Sequence, residues 1–464
     1  MSTDTRRGRS RARRGRAFLV SFVAVVAALA VAGAGAAAIG VVQGPRITDV
    51  QVDPAASVAA SGSRIIVTTS QSLAEVDPAQ VTVTPETPFA VDTSGRSVGV
   101  RFGVPLRDDT EYTVTIDGVR GLGGGPDGSI VETFRTPPIA VHLLQRGGPS
   151  DDTIFRTDLT GDEAVPVFSH PDIEDFRATA SQLVVSVRTA DDRPALLVTD
   201  LDGSGERALP LPGDDGVVTH LQAADRGDLI GFTYSDATLS DAGGLESALF
   251  TVAGDTPTRI EVAGTDARIA QWRFVPETDS ILLLTFDGNL LLTGAEGGEA
   301  TSLGTAISID GVAGTAAIVE RLDGIVVLDL TDGTQRPLVT PDEELGLLGT
   351  ALPVPGGGTL RSSVVLDETG TRSLGTSVAL VDGDGASRGI ADIGPTDALM
   401  QTCVSPSGRY AAVTVAPDAV DNPYDGYLLP LPERLETRIF QLDDAEPVVS
   451  LEGFALSWCR VPTS

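Results

Sequence analysis

The sequence predicts an all-β chain in two parts, a β-sandwich followed by a seven-bladed β-propeller, preceded by one helix that crosses a membrane. Three observations predict it. Glycine and proline number 52 and 29 while aromatics make up 5% of the 464 residues, a turn-rich composition suited to many short strands. A unit of apolar strand, polar turn and second short strand recurs seven times beyond residue 138. Residues 17–44 carry no charged side chain.

The helix comes first in the chain. Residues 1–16, MSTDTRRGRSRARRGR, hold seven arginines and one aspartate, and the apolar run AFLVSFVAVVAALAVAGAGAAAIGVVQG follows at once. Twenty-eight residues at about 1.5 Å each exceed the ~30 Å hydrocarbon core, so one helix can span it. The arginines stay cytoplasmic by the positive-inside rule, which exports everything after Pro45. Cleavage at the small residues of AGAGAAA is the alternative, and it exports the rest of the chain equally. No cysteine lies near this segment, which excludes a lipoprotein.

Net charge is −31, and the arginine-rich start leaves about −37 on the remainder. All 33 basic residues are arginine. So acidic a body repels phosphate backbones and anionic headgroups, so no nucleic-acid partner is expected. The length suggests two to four domains, and the expected boundaries are 45–137 for the sandwich and 138–464 for the propeller.

Period-two alternation supports the sandwich. RIIVTTS, VTVTP, SVGVRFG, EYTVTIDGV and VETFRTPP read as strands broken by turns. With DVQVDPAAS opening the module, PLRDDTEYTVTIDGV late in it and ETFRTPP closing it, the segment resembles bacterial Ig-like modules of the surface-layer type. That resemblance implies a spacer or cohesion module. The run GGGPDG at 123–128 satisfies a dinucleotide-binding spacing, but a strand follows where a phosphate site needs a helix, so it reads as a hairpin loop.

The repeats follow. The hairpins start at 153, 195, 248, 289, 324, 377 and 437, with an apolar strand before each and a further strand such as IAQWRFVP (269–276) or LMQTCVSP (399–406) before most. Four strands per unit and seven units fit a seven-bladed propeller. One of its turns, VTDLDGSGER (198–207), offers Asp200, Asp202 and Ser204 in a spacing that could hold calcium. The neighbouring turns lack that ligand pattern, so aspartate and glycine there serve the tight hairpin. CVSPSGRYAAV (403–413) and the hairpins resemble blades of TolB-like, WD40-like β-propellers, which implies a binding platform, often for protein partners.

The first unit lacks an innermost strand, and the chain ends on GFALSWCRVP (453–462), an innermost-type strand with no hairpin after it. The last strand is therefore expected to complete the first blade and leave no open edge. Alignment of TCVSP with WCRVP puts Cys403 and Cys459 on neighbouring innermost strands, either as a disulfide or as two buried thiols.

Function is expected at long connections between second and third strands: 235–247, 368–376 and 417–436. The third groups Asp421, Asn422, Tyr424, Asp425 and Tyr427, a set suited to carbohydrate or protein contact. The competing expectation is a loop packed over its blade, with LLPLPERL covering apolar surface. Chemistry is thinly signalled. His142, His170 and His220 are dispersed, neither a zinc-binding nor a nucleophile-elbow motif occurs, and 64 acidic residues make any pairing of carboxylates uninformative. Arg273 beside Trp272 could line the central channel or simply pack. No catalytic, cofactor or metal residues are assigned.

The expected protein is thus an Ig-like β-sandwich plus seven-bladed β-propeller with one N-terminal transmembrane helix. Its expected role is non-enzymatic: a membrane-anchored extracytoplasmic scaffold of a bacterial envelope whose propeller face binds an envelope protein or glycan. The alternative is an exported propeller hydrolase or lyase acting on polysaccharide, which carboxylates clustered in the central channel would favour.

Overall fold

Strand Val81–Thr84 reads VTVT and alternates buried with exposed, as a strand with one covered face must. The same alternation runs through Arg64–Thr69 and Glu111–Val119. The computed structural model describes residues 44–463 except 60, 148–150, 226, 240–242 and 277, together with 22, 23, 25–27 and 29. Those six are helical and exposed, and the rest of the expected anchor lies outside the described residues. Among the described residues no helix is long and apolar enough to cross a membrane.

The chain divides into two compact units. One comprises Met1–Pro54, Ser63–Gly103 and Glu111–Arg135; the other comprises Ala55–Gly62, Val104–Thr110 and Thr136–Ser464. The first holds two antiparallel sheets. Ile47–Gln51, Arg64–Thr69, Ser97–Phe102 and Phe89–Ser94 form one in that spatial order; Val81–Thr84, Glu111–Val119 and Gly128–Arg135 form the other. Phe102 of the first sheet meets Phe134 of the second at 6.3 Å between ring centres, and Tyr112 stacks on Phe134. Strands Ile47–Gln51 and Phe89–Ser94 add two to the five read from alternation. The run 123–128 joins paired strands, Val119 opposite Gly128, so it is a hairpin loop.

The second unit is a succession of seven antiparallel sheets, each built from consecutive strands. The first blade contains Ala140–Gln145, Asp152–Asp158 and Ala164–His170; six four-stranded blades follow, beginning at Ile173–Ala178, Gly216–Ala223, Ile269–Phe274, Ser308–Ala313, Leu347–Pro353 and Ala398–Val404. Their cores lie between blades. Val184, Leu196 and Val198 of the second blade pack with Leu221, Ile230 and Phe232 of the third, and the pattern repeats around the unit. Two glycines permit close approaches. A Cβ on Gly231 would lie 2.5 Å from the fully buried Trp272 ring of the next blade. Gly203, at φ +82°, sits where a Cβ would strike the Val167 carbonyl at 1.6 Å.

The ring closes through the chain end. Leu144 and Phe454 exchange backbone hydrogen bonds of 2.9 and 3.0 Å, and Ser457 N–H donates to the His142 carbonyl at 2.9 Å. The closing segment is shorter than the innermost strand expected over 453–462. A single bridge at Phe454 gives way to a turn before Cys459, with Gly453 and Ala455 at positive φ. Cys403 and Cys459 are disulfide-bonded with Cα atoms 5.5 Å apart. Beyond it Arg460 pairs with Asp225 of the third blade, and Gln401 donates to the Val461 and Pro462 carbonyls.

Innermost strands have no ladder partner on the axis side, and side chains take over that role. Gln222 Nε2 donates to the Trp272 carbonyl (2.8 Å), Ile309 N–H donates to Gln271 Oε1 (2.6 Å), and Ala351 N–H donates to Asp310 Oδ2 (3.3 Å). Arg273 donates to the Trp272 and Ile309 carbonyls, and burial brings its guanidinium down to about 10. Polar residues on these strands tie one blade to the next.

Candidate functional site: the seventh-blade loop and the upper end of the propeller

Antiparallel order sends second-to-third and fourth-to-first connections to one end of every blade, called upper here, and the remaining connections to the lower end. The connection between Tyr410–Ala416 and Glu436–Gln441 is the longest at the upper end. Its polar residues are mostly spent internally. Buried Asn422 donates to the Pro417 and Arg434 carbonyls (3.1 and 2.8 Å) and accepts from Arg434 N–H (2.9 Å), which fixes the loop base. Asp425 accepts from Leu431 N–H at 3.0 Å and pairs with Arg146 at 3.1 Å. Asp421 contributes its carbonyl to Arg434. Tyr424, 63% exposed, projects, and Asp421 is also exposed.

Tyr427 reaches down. Its hydroxyl donates to Asp152 Oδ1 at 2.6 Å, and its ring lies 4.2 Å from the Arg146 guanidinium. Burial, then the Asp152 carboxylate, pushes the phenol well above its ordinary range. Arg146, 3% exposed, also donates to the Glu174 and Leu429 carbonyls at 3.2 and 3.0 Å. Glu174 accepts from Leu428 and Leu429 N–H, both at 2.9 Å. Below them Arg177 donates to Asp175 at 2.8 Å, and burial raises the Asp175 carboxyl. Leu431 and Leu435 join the apolar core shared by the seventh, first and second blades. This loop is a packed cover over a buried ion network.

Sequence reasoning named the loop and missed its partners. Arg146, Asp152 and Glu174 lie in other blades, hundreds of residues away. One signal existed: IEDFRA (173–178) places three charged residues on an innermost strand that is wholly buried up to Arg177.

The other candidates resolve locally. The connection expected over 368–376 is a tight turn, because Ser373–Val381 is already strand and Asp367 Oδ1 accepts from Thr369, Thr371 and Arg372 N–H. The connection after Ile230–Asp236 is long, with Leu245 N–H donating to Asp236 at 2.7 Å. In the 198–207 turn, Ser204 donates to Asp202 at 2.6 Å through its hydroxyl and at 2.9 Å through its N–H. Asp158 with Thr160 and Asp329 with Thr331 repeat the arrangement, so these aspartates shape turns. No group of three or more metal-binding side chains occurs among the described residues. His142 touches the Leu201 carbonyl, His170 the Asp172 backbone and His220 the Thr233 hydroxyl; burial lowers His142 and His220.

The two ends differ in surface chemistry. At the upper end Leu239, Phe286, Ile307 and Leu322 are more than half exposed, as are Leu347 and Leu374 of the sixth blade. Leu348 of that blade and Val420, Tyr424 and Leu428 of the seventh-blade loop complete the set. These are ten of the twelve exposed large hydrophobic side chains of the second unit; Val165 and Val448, on outermost strands, are the others. Among the described residues none sits on a lower connection. The lower end of the seventh blade instead receives the 104–110 segment: Arg409 pairs with Asp108 at 3.3 Å, and the Tyr410 hydroxyl donates to the same carboxylate.

No family model matches the chain, and no curated protein does. Solved structures are similar in part. A protein from Agrobacterium tumefaciens assigned as TolB is 15% identical, aligning 66% of this chain with 91% of its own at a TM-score of 0.37. The WD40 β-propeller domain of Doa1 is 12% identical over 60% of this chain and 94% of its own, TM-score 0.37. Dipeptidyl peptidase 4 of Porphyromonas gingivalis is 12% identical over 67% and 58%, TM-score 0.41. The propeller itself rests on the strand order and closing bonds described above.

Proposed function

We propose that the chain is a non-enzymatic binding protein of a bacterial envelope that engages a protein through the upper end of its propeller. Residues 17–44 hold it in the membrane, with the arginine-rich start cytoplasmic and an Ig-like spacer at 45–137. The concentration of exposed hydrophobic side chains at one end supports this most directly. Scattered apolar residues need no explanation, but a one-ended distribution over five blades does. Internal pairing of Asn422, Asp425 and Tyr427 moves the site off the glycan-type polar cluster and onto the apolar edges.

The test places a photocrosslinking residue at Leu239, Phe286, Leu322 and Leu374, and separately at Asp162, Glu296 and Asp332 of the lower end, in cells making the full chain. Upper positions are expected to give discrete protein adducts in the membrane fraction, and lower positions none. Equal adducts from both ends, or none from either, overturn the reading. Carbonate extraction of the same membranes tests the anchor, since a chain released from its helix would wash out.

A further inference from the structure

We propose that fifth and sixth blade residues of the upper end form the docking surface proper, and that its occupant is a protein segment combining apolar with cationic side chains. This rests on the reading above and specifies where and with what chemistry it operates. Three observations converge on that sector.

The first is shape. An open cleft of about 380 Å³ lies where the fifth blade passes to the sixth, lined by Asp342, Glu343, Glu344, Leu348, Arg361 and their neighbours. Gly346 turns the chain there at φ +105°, and a Cβ would lie 2.4 Å from the Val364 carbonyl. The second is apolar exposure beside the cleft. Leu347 and Leu348 begin an innermost strand, paired with Val364 and Ser363, yet remain 61% and 39% exposed. Successive strand residues point to opposite faces, so both faces of the strand are open at its start. Leu322, at the upper turn between the second and third strands of the fifth blade, is 93% exposed.

The third is charge. Connections 322–323, 338–346 and 367–372 carry six carboxylates against a single guanidinium, Arg372. Arg361, the cation inside the cleft, is already committed to Thr359 Oγ1 at 2.8 Å and the Val339 carbonyl at 2.7 Å. Carboxylates flanking exposed leucines favour arginine or lysine beside apolar residues and repel anionic lipid and nucleic acid. The rim steers a cationic partner in, and the leucines supply the desolvated contact that holds it.

The full chain in phosphatidylcholine nanodiscs is titrated with a fluorescein-labelled dodecapeptide of alternating leucine and arginine, and with its leucine–glutamate counterpart. Anisotropy is expected to show binding of the first only, weakened by rising salt. Leu322→Asp with Leu348→Asp, and separately Glu343→Gln with Glu344→Gln, are each expected to weaken it about tenfold or more, while Val165→Asp leaves it unchanged. Matching melting curves show that the variants fold. Equal binding of both peptides, or binding indifferent to both upper-end pairs, overturns the proposal. So does sedimentation showing that Leu322→Asp disperses a dimer, which makes a second copy the occupant, or binding to phosphatidylglycerol vesicles through the same leucines. Upper-end crosslinks that persist under any of these outcomes leave the broader binding reading standing; their absence removes it.

Discussion

The seam of the propeller and its far sector treat the same upper end in opposite ways. At the seam, where the seventh, first and second blades meet, a long connection lies over Arg146, Asp152, Glu174 and Asp425, and charged groups are buried and paired. In the fifth and sixth blades the connections are shorter, carboxylates stay in water, and Leu322, Leu347 and Leu348 lie uncovered. Loop length is thus a poor guide to surface exposure here. The longest loop packs over the junction of the seventh, first and second blades, while the sector without such a cover keeps its leucines exposed.

The sharpest way to break the comparison is to open the seam. Deletion of 453–464 removes the Leu144–Phe454 pair, Trp458 from its stack on Tyr410, and Cys459. Several buried side chains and an unprotected edge together exceed the roughly 5–15 kcal/mol that holds a typical domain, so the second unit is expected not to fold, as far-ultraviolet circular dichroism and limited proteolysis would show. A milder cut is Cys403→Ser with Cys459→Ser. Its closed loop spans a separation of 56 residues, and chain entropy assigns it roughly 4 kcal/mol. A melting temperature unaffected by that pair would show that packing alone closes the ring.

Next in size is the buried ion pair. Arg177→Met removes the ion-pair partner of buried Asp175, leaving it the Phe176 N–H, and is expected to cost about 3–5 kcal/mol in urea unfolding. Arg177→Met with Asp175→Leu is expected to recover most of that loss, because two desolvated charges disappear together. A double variant as weak as the single would mean that the pair specifies the strand position and does not merely tolerate burial.

Legibility followed the same division. Strands, hairpins and closure were readable because each depends on local period and turn chemistry, as at Asp202 with Ser204 or the GGGPDG hairpin. The inner-strand ladder of Gln222, Gln271 and Asp310 was not, since each answers a backbone group of the next blade. Tyr427 illustrates the limit best. A tyrosine in an acidic loop reads as a surface contact, and only the fold brings Asp152, 275 residues away, under its hydroxyl. The exposed leucines were invisible for the converse reason: LGLL at 345–348 reads as core, and nothing local says that no neighbour covers it.

A smaller effect separates the regions by pH. Burial and Asp108 bring Tyr410 up to about 12, and burial and Asp152 raise Tyr427. The folded state therefore keeps protons that the unfolded chain releases near pH 10. Stability from these groups is complete below pH 10 and falls as pH rises towards 12, by about 2 kcal/mol for Tyr410. Tyr410→Phe with Tyr427→Phe is expected to flatten that alkaline decline in urea midpoints measured between pH 9 and about 12. The fifth and sixth blades hold no tyrosine, so their leucine variants should follow the parent profile.

The smallest expected effect decides most about the comparison. Leu322→Asp alters a side chain that is 93% exposed, so its stability should stay within about 0.5 kcal/mol of the parent. Against it stands the same change at Leu431, 6% exposed within the core under the seam loop, where an unpaired carboxylate in apolar surroundings should cost several kcal/mol. Both leucines lie at the upper end of the same ring, so the contrast isolates what covers them. A large loss at Leu322 would mean that this leucine packs in the protein's working form, and the far sector would then be structural in the same sense as the seam. Neutrality at Leu322 with loss of peptide binding assigns its exposure to an outside partner.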